Sequence, residues 1–293
     1  MSLDRRTLLG GAAALAATTA LPAAASGRPR IVSLDYAAAE TLIALGDPPV
    51  GVQSSDHWER WVVEPELPSS VANVGQDLVV NLEVIASLKP DLILTTPYTD
   101  ALRARLEVIA PVHMLSVYDG SRTPLANAYR ETKKLGRLAA LQVEAAEFLE
   151  AADAAFAAMR ALLAAGKQPS VTLVNFMDDR HVRVYGASAL YQDVLDRLGL
   201  QNAWTRPTNY WGFATVGLEE LARHAPPDMH LIAFEPIVED IKPTLQSSPL
   251  WRSMPVVADN RYTVFPAVLT FGMVPSALRF ARLITDYLTG QAA

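Results

Sequence analysis

The sequence predicts an α/β protein of two Rossmann-like lobes, each built on a parallel central sheet, joined by one long α-helix. Three observations predict it. Short apolar runs alternate with helical runs on both sides of the chain's middle. The middle carries no strand signal, and a short pattern recurs on either side of it.

From Arg30 the elements follow in order. Arg30 to Leu34 reads as a buried strand, Ala37 to Leu45 as a helix ended by Gly46, and Val50 to Val52 as a second strand. Leu82 to Leu88 is helical up to Pro90, Leu92 to Thr95 extended, Ala101 to Ile109 helical and Val112 to Val117 extended. From Leu125 to Ala165 the sequence is alanine-rich and helical, with a break near Ala139 to Gln142. Leu141 to Ala165 has no Gly or Pro, and as one helix it would span about 37 Å, long enough for a strut between two lobes. Beyond Gly166 come a strand from Val171 to Val174, helices from Leu190 to Leu198 and Leu218 to His224, and a strand from Leu231 to Phe234. The recurring pattern is Leu82-Glu83-x-Ile85-Ala86 before Pro90-Asp91, and Leu218-Glu219-x-Leu221-Ala222 before Pro227-Asp228. The domain reading is therefore 28–124 for the first lobe, 125–166 for the helical connector and 167–293 for the second lobe.

The chain has 293 residues, half of them hydrophobic, and a formal charge of −6, so a disordered chain and a basic nucleic-acid footprint are both excluded. The absence of cysteine excludes disulfides, thiolate metal sites and a cysteine nucleophile. Residues 1–25 read as an export signal of twin-arginine type, with Arg5-Arg6, an apolar stretch from Leu8 to Leu21, and Ala23-Ala24-Ala25 before the cut. The mature chain is expected in the periplasm, soluble and monomeric.

Enzyme machinery is not visible. The five histidines form no metal-binding pair, and no phosphate loop or dinucleotide glycine fingerprint occurs. Gly186-Ala187-Ser188-Ala189 lacks the last glycine of a nucleophile elbow and reads as a turn with Ser188 capping the next helix. Asp178-Asp179 reads as a turn cap. Binding chemistry, by contrast, is visible. Tyr36, Trp58, Trp61, Tyr98, Tyr210, Trp211 and Phe271 fall in loops next to strands rather than on helix faces. Ligands of open α/β sheets bind outside the carboxyl ends of strands, so rings from both lobes are expected to converge on one cleft.

The sequence resembles the periplasmic ferric hydroxamate (ferrichrome-type) siderophore-binding proteins, in the helical-backbone (class III) group of substrate-binding proteins of ABC importers. The likeness runs through Arg30-Ile31-Val32, Trp61-Val62, Glu64-Pro65, Val74-Gly75 and Asn81-Leu82-Glu83. Beyond the strut it includes Arg180-His181, Asn202-Ala203-Trp204, Thr208-Asn209-Tyr210-Trp211-Gly212 and Pro266-Ala267-Val268. The resemblance implies a shallow cleft that binds a ferric siderophore, with Tyr36, Trp61, Tyr98, Leu190, Asn209, Trp211 and Phe271 lining it. It also implies no cofactor and no direct protein ligand to the metal, because the chelator wraps the iron. Its partner would be an inner-membrane ABC permease, docked through Glu83 and Glu219, one per lobe.

Four positions depart from the family. Asp77 stands where members carry an arginine that donates to hydroxamate oxygens, Phe213 replaces a serine, and Leu269-Thr270 replace two aromatic residues. An ionised acid cannot donate to those oxygens, so Asp77 is expected to favour a chelate with a cationic arm, such as a ferrioxamine. Strongly anionic chelates would need Arg60, Arg183 or Arg206 turned inward. A haem or corrinoid receptor of the same class, and more remotely a periplasmic hydrolase, are the alternatives.

Overall fold

The computed structural model describes residues 27–76 and 79–290. The export signal and Asp77 lie outside the described residues. The first lobe holds β1 (Ile31–Ser33), α1 (Tyr36–Ala44), β2 (Gly51–Val52), α2 (Trp58–Trp61), β3 (Ala72–Asn73), β4 (Gly75–Gln76), β5 (Val79–Val80), α3 (Leu82–Ser87), β6 (Leu92–Thr95), α4 (Arg103–Leu106) and β7 (Val112–Met114). Its main sheet has the order β3-β2-β1-β6-β7 and is parallel throughout, while β4 and β5 form a separate antiparallel pair. Both faces of the main sheet are covered. Ile31, Leu92 and Leu94 pack with Leu42 and Leu135, and Val32, Ile93 and Val112 pack with Ile85 and Leu106. Such two-sided burial is why these strands read as continuous apolar runs.

The connector is two helices, α5 (Pro124–Leu138) and α6 (Gln142–Leu163), with the break falling where the sequence places it. Thr123 provides no side-chain cap for α5; instead the Asp193 carboxylate from the second lobe accepts from Leu125 N–H at 2.9 Å. The α6 helix has 22 residues, about 33 Å, and buries Ala145, Leu149, Ala152, Phe156, Met159 and Leu163, a stripe at alternating three- and four-residue spacing.

The second lobe holds β8 (Val171–Phe176), β9 (His181–Tyr185), α7 (Leu190–Leu198), β10 (Phe213–Gly217), α8 (Leu218–His224), β11 (His230–Phe234), α9 (Ile241–Ser247), α10 (Pro249–Ser253), α11 (Pro255–Ala258), β12 (Tyr262–Phe265) and α12 (Val274–Thr289). Its sheet has the order β10-β9-β8-β11-β12. The expected parallel pairing holds for β8, β11 and β12, but β9 runs antiparallel to both β8 and β10. The reason is local. The Asp178 carboxylate accepts from the backbone N–H groups of Arg180 and His181, both at 2.7 Å, closing a tight turn that leaves no room for a crossover helix.

The α12 helix packs on α5, α6 and α7 and also reaches α1 of the first lobe. The strut therefore does not stand alone. Glu40 on α1 is fully buried, and its carboxylate accepts from Met273 N–H at 2.9 Å and from the Ser276 hydroxyl at 2.7 and 2.8 Å. Glu64 Oε2 meets Arg279 at 2.7 Å and Arg282 at 2.8 Å. Gly272 permits the first of these ties, because a Cβ there would lie 2.1 Å from Ser276 Oγ and 2.9 Å from Glu40 Oε1. Among the described residues no helix is long and apolar enough to cross a membrane.

Candidate ligand cleft

Four parallel strands of the first lobe deliver its wall of the cleft. At the end of β1, Asp35 caps α1 by accepting from Ala38 N–H at 2.8 Å, and this sets the position of Tyr36. The Tyr36 hydroxyl donates to Ser54 O at 2.6 Å, tying the end of β1 to the loop after β2. Its ring meets Trp58 edge-on at 5.6 Å. Trp58 itself is buried, with Nε1 donating to Pro65 O at 2.8 Å, so it supports the wall while Trp61 stays 41% exposed on it. Tyr98 follows β6 in a turn held by the Thr99 hydroxyl, which accepts from Thr96 N–H at 3.1 Å. Tyr118 follows β7, and its hydroxyl crosses to the second lobe to donate to Thr270 O at 3.2 Å.

The opposite wall is built differently. Phe271 follows β12, as strand-end logic requires, but Trp211 comes from the loop that enters β10. Asn209 shapes that loop, its side-chain oxygen accepting from Trp211 N–H at 2.9 Å and Phe213 N–H at 3.2 Å. Gly212 has φ +80° and lies so close to the start of α7 that a Cβ would sit 2.1 Å from Ala189 N. The loop is thus pressed onto α7 and aims the indole inward. Tyr98 and Trp211 stack across the lobes at 5.3 Å and 28°, and Tyr118 contacts both Trp211 and Phe271, at 5.6 and 5.3 Å. Trp211 and Phe271 meet at 5.9 Å.

Two hollows flank this cluster. One of about 410 Å³ opens on the first lobe between Tyr36, Gln53, Ser54, His57, Trp61 and Tyr98. A tighter one of about 70 Å³ lies between the lobes against Asp35, Thr96, Tyr98, Tyr118, Trp211 and Phe271. Asp35 borders both. Burial pushes its carboxyl up to about 6, against the lowering effect of the Ala38 and Ala37 N–H groups. Glu40 is pushed up to about 8 by burial, more than its bonds to Ser276 and Met273 N–H lower it. Burial also raises Tyr118 above the ordinary tyrosine value, and raises Tyr98 with help from Tyr210. Both phenols therefore remain neutral donors with apolar faces.

Of the residues expected at the site, Tyr98, Trp211 and Phe271 meet directly, and Tyr36 and Trp61 line the larger hollow. Asn209 and Thr270 serve as supports, the second through its carbonyl to Tyr118 and its hydroxyl 3.3 Å from that of Tyr185. Phe213 packs on Tyr185 and under the Arg183 guanidinium. Leu190 is a correction: it is fully buried in the second lobe's core, because it opens α7 on the helix's inward face, and only its backbone N–H faces Tyr118. Ser188 is likewise not the cap of α7; Ala189 holds that position, and Ser188 precedes it with φ +73°. Sequence reasoning missed Tyr118, Asp35, Gln53, Ser54 and His57. Tyr118 follows β7 just as Tyr98 follows β6, so the same strand-end signal was there to find it. Glu83 and Glu219 are both exposed, each the second residue of its helix, α3 and α8. Among the described residues no three His, Asp or Glu side chains group as metal donors.

The sequence profile of the family described as periplasmic binding protein matches residues 31–269. The chain belongs to that family. It is 32% identical, over 92% of its own length and 90% of the relative's, to the iron(3+)-hydroxamate-binding protein FhuD of Escherichia coli (strain K12). The crystal structure of the siderophore-binding protein FhuD from Vibrio cholerae, bound to Fe3+–Desferal, superposes with a TM-score of 0.84 at 33% identity, covering 91% of this chain and 100% of that one. FhuD2 of Staphylococcus aureus, solved with ferrioxamine B, shares the fold alone at 19% identity and a TM-score of 0.71, over 90% and 100% of the two chains. Members of the family with this architecture are binding proteins, and the cleft described above lies between the two sheets that define it.

Proposed function

We propose that this chain is the periplasmic receptor for a ferric hydroxamate-type siderophore, which it holds between its lobes and hands to an inner-membrane ABC permease. The observation that carries the reading is the meeting of Tyr98, Tyr118, Trp211 and Phe271 across the lobes. Such a wall of rings clasps the carbon skeleton of an organic chelator, and phenol and indole edges meet its polar atoms. The chain would need no cofactor, would work as a monomer and would act by capture and release without covalent chemistry. Iron enters as cargo already wrapped. The ties of α12 to the first lobe support small lobe motion on release, since Glu40 and Glu64 both reach it.

The test is quenching of tryptophan fluorescence by ferrichrome, ferrioxamine B, haem and a corrinoid. Submicromolar binding of the hydroxamates, with the others weaker by tenfold or more, is expected. Tight binding of haem or corrinoid alone, or turnover of any chelate on incubation, would overturn it. Asp77 carries the finer expectation of a preference for a cationic arm, which the same titration reads as ferrioxamine B binding more tightly than its amine-acetylated form.

A further inference from the structure

In the second lobe Arg183 has a buried donor atom that no acceptor among the described residues meets. On β9, Val182 and Val184 point into the core around Trp204 and Trp251, so Arg183 and Tyr185 point to the other face of the sheet. There Arg183 stands between Asn175 on β8 and Thr215 on β10. Its guanidinium carbon sits 4.2 Å from the centre of the Phe213 ring, two residues past Trp211. It also lies against the Tyr185 hydroxyl. That hydroxyl donates to Asn175 Oδ1 at 2.7 Å and stands 3.3 Å from Thr270 Oγ1, beside Phe271 at the seam between the lobes.

What Arg183 lacks is an anion. Among the described residues no carboxylate lies within ion-pair distance of it, and its Nε is buried without a hydrogen-bond acceptor. A guanidinium in this state keeps its charge and has lost part of its hydration, which makes it costly unless an acceptor arrives. We propose that the acceptor is the ligand: Arg183 donates to the iron-bound, negatively polarised oxygens of the chelate and so holds the iron cage itself, whatever arm the cage carries. The assignment rests on the receptor reading above. The Phe213 ring packs against the guanidinium, and the side chain is only half buried, so part of it stays open to an incoming acceptor.

The test uses one iron cage with three arms: ferrioxamine B with its free amine, its acetylated neutral form and its succinylated anionic form. Each is titrated into the wild type, Arg183→Leu and Arg183→Lys. Loss of a hydrogen bond from a charged donor is expected to weaken all three complexes in Arg183→Leu by about 10- to 100-fold, with partial recovery in Arg183→Lys. Unchanged affinities in Arg183→Leu would overturn the role of Arg183. Weakening confined to the succinylated form would overturn its assignment to the cage oxygens. A wild type that binds none of the three would instead overturn the receptor reading itself. A second measurement avoids dependence on the folding of the leucine variant. The Nε–H resonance of Arg183, identified by its absence from Arg183→Lys, should move downfield when the diamagnetic gallium(III) complex is added to the wild type. A resonance that stays in place would also sink the proposal.

Discussion

The phenol of Tyr98, held in the turn after β6, lies over the indole of Trp211, held in the loop before β10, with ring centres 5.3 Å apart and planes 28° from parallel. Neither ring is in its own lobe's core, and Tyr98 is 62% exposed. Two broad faces kept at the surface and set against each other suit an exchange in which a ligand takes the place of one partner.

The first prediction concerns that pair. Removing either ring deletes a large contact area with a hydrogen-bonding edge, so Trp211→Ala should weaken ferrioxamine binding by about 10- to 100-fold and Tyr98→Ala by about 3- to 30-fold. Calorimetric titration of the two single variants and the double variant would give the coupling between them. If the ligand bridges both rings, the double loss differs from the product of the single losses. Wild-type affinity in Trp211→Ala would remove the indole from the site.

Glu40 provides a pH prediction. Its carboxyl is held near 8 in the folded chain and returns to the ordinary 4.5 on unfolding, so the folded state binds the proton more tightly. The stabilisation is complete below about pH 4.5 and is lost as pH rises through about 8. Over that interval the wild type should lose ~2–5 kcal/mol, and its melting temperature should fall by roughly 4–10 °C. Glu40→Gln keeps an acceptor for Met273 N–H and cannot ionise, so its melting curve should be flatter over the same range, the remaining slope coming from other shifted groups such as Asp35 and Asp193, whose carboxyls burial raises to about 6. Parallel curves for the two proteins would show that Glu40 does not titrate as stated.

Much of this architecture is written locally in the chain. The strand Leu92–Thr95 and the helices Leu190–Leu198 and Leu218–His224 occupy the residues their patterns mark, because buried parallel strands are continuous apolar runs and amphipathic helices repeat at 3.6 residues. The antiparallel β9 went unread although His181 to Tyr185 alternates polar and apolar residues as a half-buried strand does, while its pairing follows from the Asp178 turn. The cleft was half legible. Rings beside strand ends are a visible signal, and so is the inward burial of Leu190, which shares the apolar stripe of α7 with Val194 and Leu198, whereas the meeting of rings from two lobes is not written in any local pattern. The ties from Glu40 and Glu64 to α12 join residues more than 200 positions apart and could be found only in three dimensions.

The third prediction separates two arginines that share one carboxylate. Burial alone would raise the Glu64 carboxyl, yet the Arg279 and Arg282 guanidinium groups hold it below the ordinary value. Arg279 is 8% exposed and also donates from Nε to Ala267 O at 2.9 Å, whereas Arg282 is 54% exposed. Arg279→Ala should therefore cost about 1–3 kcal/mol in chemical denaturation, and Arg282→Ala less than about 1 kcal/mol. Equal losses would mean that burial does not govern this tie. X-ray scattering of Glu64→Ala should show a larger radius of gyration than the wild type if the contact restrains the lobes.

The last prediction tests the pseudo-symmetric acids. Glu83 and Glu219 each stand second in a helix that opens one copy of the repeated pattern, and each is followed by a helix end and a parallel strand, β6 or β11. At the amino end of a helix an acid is stabilising by about 0.3–1 kcal/mol, which accounts for its presence but not for its recurrence once per lobe. A receptor that meets a permease of two like subunits needs one such contact on each lobe. Reversing both charges, as Glu83→Lys with Glu219→Lys, should abolish siderophore-dependent growth while leaving ligand affinity within about twofold and lowering stability only by the helix contribution. Each single reversal should leave partial uptake. Full uptake by the double variant, with the protein folded and exported, would restrict both glutamates to stabilising the amino ends of their helices and move the docking surface elsewhere.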